Sequence, residues 1–178
     1  MIQAFTQIII SPRRAWEHLS QSTTLQQYLL PLVVYPTILL TALSAYIPYF
    51  YGFILLEAAT KQATLTLLKY SGCVITAWAL LVLLSRTYFM NDCNKHELHL
   101  FAGYSFIVTF LSVIIGNILP SSFSYVQFIP AYTVWIVFQG RKFLRIPSEN
   151  VFSFTVTTST ILIALPFMWN QIIQTIVH

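Results

Sequence analysis

The chain has 178 residues, 57% of them hydrophobic and 8% charged, with a formal net charge of +4. A soluble domain carries about 25% charged residues, so this composition excludes an ordinary soluble globular domain, and the length leaves room for one domain. In a soluble protein the basic excess would point to nucleic acid; in so apolar a chain it points to loops facing anionic lipid, with no nucleic-acid partner.

Residues 1–27 read as an amphipathic interfacial segment ahead of a single transmembrane domain, 28–178. Ala4, Phe5, Ile8 and Ile9 recur at helical spacing. Ser11 and Pro12 predict a helix start, with Ser11 as N-cap and Pro12 in the first turn, where its missing N–H costs nothing. Ala15, Trp16 and Leu19 share one face; Arg13, Arg14 and Glu17 lie toward the other. The pattern suits a helix in the headgroup layer, with Trp16 as an interfacial anchor and the arginines near lipid phosphate. The alternative is a segment packed onto the spans. Because Arg13 and Arg14 follow the first apolar stretch, the start is not a secretory signal.

Five blocks contain no Asp, Glu, Lys or Arg: 28–47, 70–85, 98–119, 123–139 and about 151–172. A bilayer core about 30 Å thick needs roughly 20 mostly apolar residues per helix. Backbone polar groups must pair internally in lipid, and the runs lack the alternation of barrel strands. The predicted fold class is all-α: a polytopic membrane bundle of five transmembrane helices preceded by amphipathic N-terminal helices. Arg13, Arg14, Arg86, Lys95, Arg141, Lys142 and Arg145 then fall on one side and Lys61 and Lys69 on the other. The positive-inside rule predicts N-in, C-out.

Along the spans, Pro31 and Pro36 predict a kinked first helix. An external helical loop, 52–66, carries Glu57 and Lys61 at i,i+4. Lys69 and Arg86, at the two ends of the second span, are expected to snorkel. Cys73 and Cys93 lie too far apart for a disulfide and are expected as free thiols. Asn91, Asp92 or Asn94 caps the third span, with Glu97 in its first turns. His96 and His99 share a face, but no second ligand pair appears, so no metal is predicted. The third span closes at Asn117 and Pro120 and a tight turn follows, with Ser121 or Ser122 as the next cap. Pro130 bends the fourth span, and Gly140 ends it as a C-terminal glycine. The run 141–147 interleaves Arg141, Lys142 and Arg145 with Phe143, Leu144 and Ile146, as an interfacial segment does. Ser153, Thr155, Thr157, Thr158, Ser159 and Thr160 give the last span a hydroxyl-rich stretch for helix packing, or alternatively for a polar path. Pro166 kinks that helix and Trp169 marks its outer interface.

No glycine loop for phosphate, nucleophile elbow or flanking carboxylate pair is present. The sequence therefore offers no catalytic, cofactor-binding or metal residues, and the expectation is a protein that is not an enzyme.

Four runs in order, IISPRRAWEHL, KHELHLFAGYSF, NILP and WIVFQGRKFLRIP, resemble the Yip family of five-pass proteins named for interacting with Rab/Ypt GTPases. The motif positions are Ser11, Pro12, Tyr104, Ser105, Pro120 and Gly140. Bacterial members commonly carry a proline soon after the Tyr-Ser pair; here Phe106, Ile107 and Val108 follow, which argues against a hinge in the third span. The resemblance implies a cytoplasmic N-terminus and five packed helices and, in eukaryotic members, vesicle traffic through GTPase partners and hetero-oligomers. An N-terminal segment of residues 1–27 leaves little surface for a GTPase. The short form resembles the bacterial branch, in the inner (plasma) membrane.

The expected function is a non-enzymatic membrane scaffold or adaptor. It organises lipid, or partner proteins as a homo- or hetero-oligomer, with headgroup contacts at Arg13, Arg14, Trp16, Arg141, Lys142 and Arg145. The alternative is a small transporter or channel-like subunit, drawn from the hydroxyls of the last span and the proline-broken helices. The absence of buried acids and of inverted repeats weighs against it.

Overall fold

The computed structural model describes residues 7–88, 94–119 and 131–177. Asn91, Asp92, Cys93, Pro120, Ser121, Ser122, Pro130 and the first part of the expected fourth span lie outside them. Among the described residues every regular element is helical. Four stretches are long and apolar enough to cross a membrane: Gln26–Phe50, Leu56–Ser85, Lys95–Ile118 and Ser148–Ile176. Where these helices turn away from one another they expose Leu83, Phe152 and Phe167, each at least 72% accessible. Large apolar side chains exposed along membrane-length helices suit a lipid surround, which together with the four apolar helices points to a membrane protein.

Helix α1 (Pro12–Gln21) starts at Ser11 with Pro12 in its first turn, but Ser11 makes no side-chain capping bond. Helix α2 (Thr23–Leu29) runs into a π-turn at Leu30–Val34, then α3 (Tyr35–Leu43), a 3-10 turn at Ser44–Tyr46 and α4 (Ile47–Phe50). Pro31 and Pro36 have no N–H to give, so the ladder widens between them and the Tyr35 N–H reaches the Leu30 carbonyl. Thr37 and Thr41 donate their hydroxyls to the carbonyls one turn back, at 2.5 and 2.7 Å. Ser44 accepts from Asn117 Nδ2 at 2.8 Å, which ties the first span to the third.

The next turn is closed by glycine. Gly52, at φ +76, lets the Phe53 N–H reach the Pro48 carbonyl at 2.9 Å and its own N–H reach Tyr49 at 2.9 Å. This is a Schellman closure, and only glycine takes that φ without steric cost. The expected external loop and second span then form one helix, α5 (Leu56–Tyr88), about 50 Å long. Among the described residues the ion pairs are Arg13–Glu17 and Arg145–Glu97, so the expected Glu57–Lys61 pair is not formed. Cys73 is buried and free.

Asn94 caps the third span. Its side chain accepts from the His96 N–H at 3.2 Å, and Glu97 accepts from the Asn94 N–H at 3.3 Å, a reciprocal capping box. The span divides into α6 (Lys95–Ser105) and α7 (Ile107–Ile118). The absence of proline led to an expectation of no break here, yet the Phe106 N–H turns to Gly103 at 3.2 Å and tightens the helix locally. Helix α8 (Tyr132–Gly140) is the described part of the expected fourth span, and α9 (Val151–Val177) is the last helix described.

Helix α5 is the hub, packed against α3, α6 and α9. Phe101, Phe106, Phe110 and Phe154 fill the core. Trp169 lies across Gly72, where an added Cβ would meet its ring at 2.6 Å, and donates to Thr76 Oγ1 at 3.2 Å.

Candidate functional site

Trp16 sets the geometry at the arginine-bearing end. Helix α1 buries Pro12, Ala15, Trp16 and Leu19, and Trp16 is 2% exposed. Its ring stacks on Phe101 at 5.1 Å, meets Tyr104 edge-on at 5.0 Å and tilts against Phe143 at 5.3 Å. Nε1–H donates to the Ile136 carbonyl at 3.0 Å. The expectation of Trp16 as a headgroup anchor is therefore corrected: the protein itself supplies both the apolar box and the acceptor that an indole otherwise finds at an interface. The packing alternative describes this face of α1. Tyr132 adds a second tie, its hydroxyl donating to the Ile9 carbonyl at 3.1 Å. Tyr132, Ile136 and Gly140 thus form one i, i+4, i+8 stripe that receives the N-terminal segment.

Gly140 belongs to this contact. A Cβ there would lie 2.5 Å from Phe101 Cε2 and 2.9 Å from Trp16 Cε2. Its role is close approach rather than the left-handed conformation expected of a terminal glycine. That conformation falls five residues later, on Arg145 at φ 54. There the Ile146 N–H reaches the Arg141 carbonyl at 3.0 Å and the Arg145 N–H reaches Lys142 at 3.2 Å. The closure is the same as at Gly52, with arginine in the glycine position. Phe143 and Leu144 are buried, so the 141–145 turn is docked on the core, with Lys142 and Arg145 exposed and Arg141 partly so.

Between α1 and this turn runs an open groove of about 490 Å³. Its wall is apolar: Ile10, Tyr132, Trp135 and Phe138. Its rim is basic and polar: Arg13, Arg141, Lys142, Ser11 and Gln139. Arg141 lies over the Phe138 ring at 4.0 Å, and Arg13 is held by Glu17 at 2.9 Å. A smaller groove of about 320 Å³ shares Arg141 and Lys142. Of the six expected headgroup residues, three therefore line one groove. Arg14 is exposed outside it, Trp16 is buried behind it, and Arg145 points to Glu97 at 3.8 Å. Cations above an apolar wall match an anionic amphiphile, because guanidinium pairs with phosphate in a bidentate fork. Sequence reasoning missed Tyr132, Trp135 and Phe138; their spacing before Gly140 was the available signal.

The motif positions divide. Ser11, Pro12, Tyr104 and Gly140 all touch this contact or line the groove; Ser105 is buried in α6. His96 Nε2 lies 3.3 Å from the Gln26 carbonyl, whereas the His99 ring sits against Trp78 at 5.4 Å. The two histidines thus serve different neighbours. Among the described residues no three His, Cys, Asp or Glu side chains gather as a metal site. In the last helix Thr155 donates to Val151 at 2.7 Å, while the buried Thr158 and Ser159 hydroxyls have no partner among the described residues. Compared with protein-family models, curated proteins and solved structures, the chain finds no match.

Proposed function

We propose that this chain is a non-enzymatic integral membrane scaffold of the Yip type. In this reading it is five-pass, N-in and C-out, and sits in a bacterial inner membrane, where it gathers anionic lipid at its basic end and partner membrane proteins along its helices. The groove beneath Arg13, Arg141 and Lys142 carries the proposal. Each cation near an anionic leaflet contributes about 1 kcal/mol, and the apolar wall below accepts the first part of an acyl chain.

Chain connectivity supports a fifth crossing. Asn117 meets Ser44 at one end of the bundle, while Gly140 meets Trp16 and Phe101 at the other.

The test is native mass spectrometry of protein extracted with its membrane lipid. Anionic phospholipid is expected to be enriched over the bulk membrane, and the triple variant Arg13→Gln, Arg141→Gln, Lys142→Gln should lose that enrichment. Bound lipid of bulk composition in both proteins would refute the lipid role. The topology is checked with a membrane-impermeant maleimide applied outside sealed cells: Cys93 stays unlabelled if the basic end is cytoplasmic.

A further inference from the structure

Lys69 lies far from the basic groove. It sits on α5 and its Nζ donates to Asn170 Oδ1 on α9 at 3.4 Å. About 28 Å of helix separates Asn170 from Val151, which follows the arginine-bearing turn. The side chain was expected to snorkel toward water; it is partly exposed and also reaches across to a neighbouring helix. Its ammonium also lies 5.4 Å from the Tyr70 ring centroid. Neither ion pair of the described residues includes it. A neutral amide oxygen and a ring face give this partly exposed ammonium no counter-charge among the described residues, and a cation within a membrane-length helix is a starting point for a ligand site.

Two adjoining cavities, of about 430 and 310 Å³, share Lys69, Tyr70, Val113 and Asn170. The first adds a second cation and polar groups: Lys61, Gln62, Thr66 and Gln174. The second is more apolar, with Leu162, Ile163 and Phe167, and its hydroxyls are Thr109 and Ser112. Among the described residues no Asp or Glu lines either cavity. One cleft therefore holds two ammonium groups and amide donors at one end and hydrocarbon at the other.

We infer that this cleft binds one anionic phospholipid, its phosphate between Lys61 and Lys69 and an acyl chain along Leu162, Ile163 and Phe167. Charge complementarity selects the head and the apolar lower wall selects the tail. The site is independent of the groove at the arginine-bearing end.

The probe is phosphatidylglycerol carrying a diazirine in its acyl chain, added to the full chain in phosphatidylcholine nanodiscs. Photolabel is expected on the segment from Leu162 to Phe167. Lys69→Gln should lower it about tenfold, the loss of one charge-assisted bond to phosphate, while Lys69→Arg retains it. Asn170→Asp offers Lys69 a carboxylate in place of the amide. It should lower labelling similarly while raising the thermal midpoint in lipid that is all phosphatidylcholine, a result that misfolding cannot mimic. Equal labelling of wild type, Lys69→Gln and Asn170→Asp would overturn the inference. So would a phosphatidylcholine probe labelling as strongly, or displacement of the probe by inorganic phosphate alone.

Discussion

Replacing Gly140 by alanine should loosen the N-terminal helix from the bundle. The new methyl would stand 2.5 Å from Phe101 Cε2, 2.9 Å from Trp16 Cε2 and 3.1 Å from Trp16 Nε1. Both rings are at most 2% exposed and enclosed by Tyr104 and Phe143, so neither has space to retreat. Overpacking of this kind costs about 1–3 kcal/mol. A displaced indole also gives up its 3.0 Å bond to the Ile136 carbonyl, and a buried N–H without a partner costs about 1–3 kcal/mol more. Alanine recovers about 0.5–1 kcal/mol of helix propensity, leaving a net loss of about 1–5 kcal/mol. Two measurements read it: the thermal midpoint in detergent, which falls, and trypsin cleavage at Arg13 and Arg14, which accelerates as α1 detaches. A cycle with Trp16→Leu should be non-additive by about 1 kcal/mol, because the smaller side chain makes room for the methyl. Unchanged trypsin sensitivity, or strict additivity, would refute the idea that Gly140 is there to let Trp16 in.

Four further outcomes follow from local geometry. Arg145→Gly should stabilise the protein by about 1 kcal/mol, since a non-glycine residue at φ 54 carries a left-handed penalty; the long 3.8 Å pair that its exposed guanidinium makes with Glu97 is weak. Gly52→Ala should cost about 1 kcal/mol in the same thermal assay despite open space around it, because the penalty there is conformational. Asn94→Ala removes the capping box and should lower stability by about 1 kcal/mol, with faster amide exchange confined to the first turn of α6. Ser44→Ala deletes the acceptor for Asn117 and should cost about 0.6 kcal/mol, measured as a drop in thermal midpoint that Asn117→Ala does not deepen.

The elements themselves were legible in the chain. Runs free of Asp, Glu, Lys and Arg have one stable form in hydrocarbon, so helices over the first, second, third and last blocks follow from composition. The Asn94–Glu97 cap was readable because capping is local, the two partners being three residues apart. The boundary between loop and second span was less so: 52–66 is polar enough for water yet equally suited to helix, and both parts became α5. Phe106 broke its helix with no proline to announce it, since a local tightening depends on what surrounds Gly103 and Ser105 rather than on their identity.

Long-range contacts decided the rest. An amphipathic helix with Trp16 on its apolar face fits a lipid surface or a protein surface equally well, because both offer the same apolar contact; the Ile136 carbonyl, 120 residues away, chose between them. Gly140 stands at a helix end, which is where a terminal glycine belongs, and only the arrival of the indole shows that its missing side chain is what matters. Lys69 near a span end signals snorkelling, but its contact with Asn170 is visible only once another helix arrives. Hydropathy and charge act along the chain and so determined the class of protein, while shape and the pairing of single polar groups act across it and had to wait for the helices to meet.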